Sequence, residues 1–410
     1  MALVVAGISL SIFCLLMAAR AGFSRLYSNY ALNVVRMDVA DAAVALSPSD
    51  PESHLARAIL LKGESRLDEA ILEYEQSAAL RPKDYVLWLE LGIARDQAED
   101  EEGAISAFKE AIALAPSYAE PRWQLGNVLL RGGRMDEGFQ EMRRAAESNH
   151  SFLPQLIDLA WNLYRADVSS VEQAIKPQTD ASRLALARFA ARQGKAADGA
   201  RIFRAIENIS EEDRRAFLND LLAAKEFNIA HEVWLSGAGR DASHSETGFT
   251  DGGFEGQIKL DEPGFGWQID KNPQALKLSL DTAQPHNGSK SLRLDWSGDS
   301  NPASNIIMQT VLVEPNARYR LRFASRSEEL VTGGLPLLVV LDANARDATP
   351  LAGSDALSEK SAPWQERSFE FVTGKETRAV LVALRRQSCS GGPCPIFGRL
   401  WLDDFSLQKL

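Results

Sequence analysis

Cysteine and histidine are scarce. Three of the 410 residues are cysteine and five are histidine. The histidines are scattered with no ligand spacing, which excludes a disulfide-framework scaffold and a Cys/His zinc site. Positive charge is also short. Formal net charge is −11, from 45 Lys and Arg against 56 Asp and Glu. No basic run or basic helix stripe stands out, so no nucleic-acid partner is expected, because binding phosphates needs clustered cations. The usual catalytic signatures are missing as well: the chain has no G-x-S-x-G, no H-E-x-x-H and no P-loop. Its acid-rich stretches, AEDEEG and SEED, stand where helices begin, and carboxylates there favour the helix dipole. No catalytic residue and no enzymatic activity are expected.

What is present sets the architecture. A composition of 45% hydrophobic and 25% charged residues is that of folded protein. The length exceeds one ordinary core. One long apolar run opens the chain, MALVVAGISLSIFCLLMAAR, uncharged from Ala2 to Ala19 and long enough to span a bilayer as a helix. It lacks the basic start of a cleaved leader, although AARAG could pass as a cleavage site. Residues 1–22 therefore read as a transmembrane anchor. Orientation signals conflict. Arg20 and Arg25 follow the span, which favours a cytoplasmic bulk. Cys389 and Cys394, in SCSGGPCP, flank a Gly-Gly turn that can bring them within disulfide range, with two inert thiols as the alternative. The disulfide would suit an extracytoplasmic, periplasmic location, and that placement is the expectation.

A repeat follows. Pro48, Pro82 and Pro116 recur every 34 residues, each after a helix-like stretch, and a proline there stops a helix. The stretch from Tyr85 carries Trp88, Leu91, Gly92, Ala104, Phe108, Ala111 and Pro116. The stretch from Pro51 carries Ala58, Leu61, Ala70, Tyr74 and Pro82; that from Ala119 carries Leu125, Gly126, Gly138, Met142 and Ala145. Residue sizes and spacing together resemble tetratricopeptide repeats. Residues 51–84, 85–118 and 119–152 are the best repeats, and degenerate ones extend the array over 30–236, with Leu32 to Leu46 read as a lone second helix. The resemblance implies an all-α solenoid with a groove for a protein partner. First-helix residues off the consensus, Glu90, Arg95, Gln124 and Asn127, are its candidate lining. Trp88, Trp123 and Trp161 sit near repeat cores, where packing explains them.

At SGAGRDASHSETGFTDGG the helical period ends, and residues 237–250 read as a linker. Beyond it the period is two, as in ALKLSL, SLRLDW, RYRLRF, PLLVVL, RSFEFV, AVLVAL and LWLDDFSL. Short strands of this kind imply an all-β antiparallel sandwich over 251–410, of jelly-roll size. The block order GGFEG, GFGW, NGSKSLRLDW, ARYRLRFASR and LWLDDFSL is similar to carbohydrate-binding modules of the galactose-binding-like type. The resemblance implies a structural calcium on Glu255 and Asp403 and no other cofactor. For a polysaccharide ligand it leaves Trp296 and Tyr319 as stacking residues; Trp267, Trp364 and Phe371 fall on usual core positions, and Trp401 could face either way. The whole layout resembles bacterial repeat proteins that pair such an array with such a domain. It implies a non-enzymatic scaffold of the cell envelope in one of two forms: a scaffold for exopolysaccharide assembly or export, or a protein–protein adaptor whose sandwich binds no sugar.

Overall fold

The computed structural model describes residues 2–237, 248–256, 263–269, 275–345, 349–389 and 394–410. Most of the expected linker and the Gly-Gly turn between the two cysteines lie outside these residues. Fourteen helices and then ten strands occur among the described residues. The chain divides into two compact units, Met1–Pro177 and Gln178–Leu410.

The first unit is a series of antiparallel helix pairs. These are α1 (Ala2–Val34) with α2 (Met37–Leu46), α3 (Pro51–Gly63) with α4 (Leu67–Leu80), and α5 (Tyr85–Gln97) with α6 (Glu101–Leu114). Then come α7 (Ala119–Arg131) with α8 (Met135–Ser148) and α9 (Phe152–Leu163) with the short α10 (Val168–Ile175). The ends of α2, α4 and α6 each fall just before one of the three periodic prolines. Asp50 and Asp84 then start the next helix, their carboxylates accepting from Glu52 N and Val86 N. Small residues let paired helices approach. A Cβ built on Gly92 would lie 2.6 Å from the Phe108 ring, and one on Gly126 2.5 Å from Met142 Cγ.

The start of the array differs from expectation. Leu32 to Leu46 is not a lone second helix, because Val35 takes a left-handed φ of 53° and breaks it. The later half of α1 is instead a first helix in its own right. It buries Ser24, Ser28 and Ala31, and Ser24 Oγ donates to Ala43 O at 2.8 Å on α2. The two arginines read as topology signals are tied into this pair. Arg20 Nε donates to Leu46 O at 3.0 Å and Arg25 pairs with Asp50 at 3.0 Å. Their positions thus have a folding reason that does not depend on membrane sidedness. Upstream, Ile8, Leu10, Phe13, Leu15 and Leu16 are all exposed. By length and composition α1 can cross a membrane, and it is the single such helix among the described residues.

The second unit begins with α11 (Asp180–Arg192), α12 (Ala196–Arg204), α13 (Glu211–Ala223) and α14 (Phe227–Leu235). Ten strands follow: β1 (Gln268–Ile269), β2 (Leu276–Asp281), β3 (Ser291–Asp299), β4 (Ile307–Leu312), β5 (Arg318–Thr332), β6 (Pro336–Asp342), β7 (Thr349–Gly353), β8 (Ser361–Val372), β9 (Ala379–Arg386) and β10 (Pro395–Lys409). They form two antiparallel sheets, in the orders β1-β4-β9-β6-β7 and β2-β3-β10-β5-β8. One apolar core lies between them. The first sheet sends in Val340, Val382 and Leu384, and the second Leu294, Leu321 and Leu402.

The last helix pair packs on the strand-bearing part of this unit. Phe265 meets His231 edge-on at 4.8 Å and Trp234 at 5.9 Å. Gly264, at φ 129°, must be glycine, because a Cβ there would fall 2.2 Å from the Trp234 indole. Lys225 Nζ donates to Asn344 O and Ala345 O, at 2.8 and 2.6 Å. Burial among these groups pulls His231 below the ordinary histidine value.

Candidate functional site

The first helices α3, α5 and α7 lie side by side and are stapled by ion pairs. Lys62 on α3 meets Glu90 on α5 at 2.6 Å, and Asp96 on α5 pairs with Arg131 on α7. Glu90 also adjoins Tyr74, whose phenol is held above its ordinary range by burial first and by the Glu90 charge second. Gln124 bonds along its own helix to Glu120 at 2.7 Å, and Asn127 is half-buried on α7. Arg95 departs from the expected lining. Its guanidinium turns toward the second helices, reaching Glu75 on α4 at 2.7 Å and Gly103 O on α6 at 3.0 Å. It ties repeats together instead of facing a groove. Between the charges the row carries half-buried apolar side chains, Leu55, Ile59, Leu89 and Ile93, and Trp123 stacks on Phe152 at 4.7 Å. Trp88 packs against the repeat core and donates to Pro82 O at 3.0 Å.

A second set of ties was not read from the sequence. His54 is buried, with Nδ1 2.6 Å from Glu73 and Nε2 2.9 Å from Pro48 O. Arg57 adds Glu73 at 2.7 Å and Asp41 at 2.8 Å. This network joins α2, α3 and α4. Its members are far apart in sequence and carry no spacing signal.

In the sandwich, the two expected sugar-stacking residues are inside. Trp296 is 4% exposed and Tyr319 7%, and both belong to the core between the sheets. Tyr319 stacks on Phe371 and its hydroxyl accepts from Glu314 N at 2.8 Å. With both faces covered by protein, neither ring can stack on a sugar. The signal was available: Trp296 alternates in phase with Leu292 and Leu294, and Tyr319 with Leu321 and Phe323. Trp401 takes the outer face of its sheet, covered by Arg293 and Arg326 at 5.3 and 4.9 Å, with Nε1 donating to Asp281 at 2.8 Å. Trp364 is half-buried, its ring 5.5 Å from His286 and its Nε1 donating to Gln284 O. Trp267 and Phe371 are core residues.

Glu255 and Asp403 are near one another, both approaching Gly253. They do not fit a calcium ion. Asp403 is fully buried, and its carboxylate accepts from His286 N and Asp404 N, at 3.0 and 2.8 Å, and from Asn287 N. Burial nonetheless pushes its carboxyl up to about 6. Glu255 accepts from Ser289 N at 2.7 Å, Lys290 N at 3.0 Å and the Ser289 hydroxyl, which together hold it below its ordinary value. The lone pairs a hard cation would need are aimed at N–H and O–H donors. No group of three or more His, Cys, Asp or Glu side chains placed to hold a metal occurs among the described residues. Cys389 and Cys394 are joined, with Cα atoms 5.8 Å apart.

No protein-family model matches the chain. Among curated relatives, the peroxisomal targeting signal receptor of Eremothecium gossypii is 32% identical over 83 residues, covering 20% of this chain and 15% of the relative. The receptor of Saccharomyces cerevisiae is 31% identical over 80 residues, covering 20% and 13%. The chain thus spans about a seventh of the length of the curated relatives it matches. Among solved structures, MamA 41-end from Desulfovibrio magneticus RS-1 aligns over 46% of this chain and 93% of its own, at 15% identity and TM-score 0.31. A Pseudomonas aeruginosa PilF structure aligns over 53% and 90%, at 14% identity and TM-score 0.31. The periodic helix pairs and the small-residue contacts between them make the N-terminal part a tetratricopeptide-like helical-repeat fold.

Proposed function

We propose that this chain is a non-enzymatic, membrane-tethered adaptor that binds a partner protein along the row of first helices. The observation that carries this reading is the row itself. Helices α3, α5 and α7 are fixed side by side by ion pairs, and half-buried apolar side chains stand between those pairs. A surface of that kind suits an extended segment bringing apolar anchors. The exposed apolar start of α1 supports a membrane tether. The likeness to peroxisomal targeting signal receptors supports recognition of a signal-like segment of a partner.

The test is site-specific photocrosslinking in cells. A crosslinker at Val86, exposed on α5, should trap one discrete partner, and one at Leu72, exposed on α4, should not. Equal labelling from both positions would refute the groove. Retention of the chain in membranes after alkaline washing, lost when residues 2–19 are deleted, tests the tether. An extracytoplasmic location suits the Cys389–Cys394 bond. A reporter active only outside the cytoplasm, fused after Leu410, checks it.

A second reading gives the sandwich a glycan, as a scaffold of envelope exopolysaccharide assembly or export. The half-buried Trp364 beside His286 favours it; the burial of Trp296 and Tyr319 counts against it. Binding of the full chain to an acidic and neutral glycan panel, abolished by Trp364→Ala, is the outcome it requires.

A further inference from the structure

At one end of the sandwich a single arginine gathers three loops. Arg386, the last residue of β9, is 4% exposed. Its Nε donates to Gly334 O at 3.1 Å, and its Nη1 to Ser300 O and Cys394 O at 2.9 and 2.8 Å. Its Nη2 donates to Thr332 Oγ1 at 2.6 Å, Cys394 Sγ at 3.2 Å and Pro395 O at 3.3 Å. Every acceptor is neutral. Charged side chains on the segments around it include Asp299 of β3, Glu328 and Glu329 of β5, Glu359 and Lys360 before β8, Arg385 of β9 and Arg399 of β10. None of them forms an ion pair with Arg386, and Arg385 bonds to Asn305 instead.

A buried cation with no counter-ion among the described residues is costly, even when hydrogen-bonded. Burial accordingly pulls this guanidinium below its ordinary value. Among the six contacts one atom can acquire a full negative charge, and that atom is Cys394 Sγ. It does so when the bond to Cys389 is reduced. The Cys389 sulfur has a different setting. It lies against the Gly333–Gly334 backbone, 3.1 Å from where a Gly333 Cβ would stand, and it contacts no cation in this cluster.

We propose that the Cys389–Cys394 bond is an exchangeable disulfide in which Cys394 is the leaving thiolate, held by the buried Arg386. A dithiol reductant supplies the electrons. Its thiolate attacks Cys389 Sγ, the Cys389–Cys394 bond breaks, and the electron pair goes to Cys394, which departs as an anion beside the guanidinium. The second thiol of the reductant then attacks the mixed disulfide and closes its own disulfide. Two electrons enter the protein; one proton ends on Cys389 and the other is released to water. Because the guanidinium stabilises the reduced form, it makes this disulfide easier to reduce than an ordinary structural one.

The test uses the full chain, reduced with dithiothreitol and freed of it. The rate of iodoacetamide alkylation at each cysteine is followed against pH by peptide mass spectrometry. An ordinary thiol has its midpoint at about 8.5. The Cys394 midpoint should fall at least about one pH unit below that of Cys389. In Arg386→Gln the gap should close. In Arg386→Lys, which keeps the charge with fewer hydrogen bonds, Cys394 should stay below Cys389. Coincident midpoints in the parent chain would overturn the assignment, as would a gap that survives in Arg386→Gln. Should Arg386→Gln fail to fold, the parent and Arg386→Lys profiles decide the question alone.

Discussion

Adding one methyl group to two glycines of the array should move stability in opposite directions. Gly92 sits where α5 meets α6, and a Cβ there would lie 2.6 Å from both Phe108 Cδ1 and Cε1. An ordinary carbon contact is about 3.5 Å, so the ring must retreat by roughly 0.9 Å. It has little room to do so, because Phe108 is 1% exposed and packed with Ala104, Leu125 and Leu129. Such overpacking costs about 1–3 kcal/mol, against about 1 kcal/mol returned by alanine's better helix propensity. Gly92→Ala should therefore lose about 1 kcal/mol. Gly63 closes α3 with nothing within 4 Å of its would-be Cβ. Gly63→Ala meets no clash and should gain about 0.5–1 kcal/mol. With a urea slope of about 2 kcal/mol/M, the spread of about 2 kcal/mol separates the two midpoints by about 1 M. Helical ellipticity at 222 nm against urea reads this directly, and hydrogen exchange of α5 and α6 localises it. A Gly92→Ala chain as stable as Gly63→Ala would refute the claim that close approach is what selects glycine here.

Three further outcomes follow from the second unit. Asp403 binds its proton near pH 6 in the folded chain and near 3.9 when unfolded. The folded state thus holds more protons between those values, and the stability it contributes is present below about pH 4 and lost as pH rises through about 6. The stability gap between the parent and Asp403→Asn should change across that window and be flat above pH 7; a flat gap throughout would show that the carboxyl titrates normally. Trp296→Ala should destabilise the sandwich by about 3–5 kcal/mol, as for other large core truncations, measured by thermal melting. A stable, folded Trp296→Ala chain would mean the indole is not core. Adding millimolar calcium, or removing it with a chelator, should leave the melting temperature unchanged, since Glu255 and Asp403 spend their lone pairs on hydrogen-bond donors. A rise of several degrees would reinstate the ion.

Much of the array was legible because its physics is local. A proline just after α2, α4 and α6 and a glycine opposite a large side chain are properties of spacing and size, and both can be seen in a single repeat. The strands were legible for the same reason, since alternation is local. What alternation leaves open is which face looks inward when both faces carry large residues. Trp401 shows the difficulty: Leu400 and Leu402 take the core, and the indole between them goes outside under two arginines. Arg386 and His54 were illegible for another reason. Each is satisfied by groups from several separate segments, and no window of sequence contains both a buried polar group and the loops that solvate it.

The helix that opens the chain has a mechanical consequence. Its 33 residues form an unbroken rod of about 50 Å. The far part of that rod is also the first layer of the array, locked to α2 and α3 by Ser24, Arg20 and Arg25. There is no swivel between the apolar segment and the stack. Whatever grips the apolar end of the rod sets the heading of the first repeats, and a tilt of about 10° there would carry a point 50 Å along by roughly 9 Å. The opening helix is therefore also a lever arm, and the first repeats turn with it.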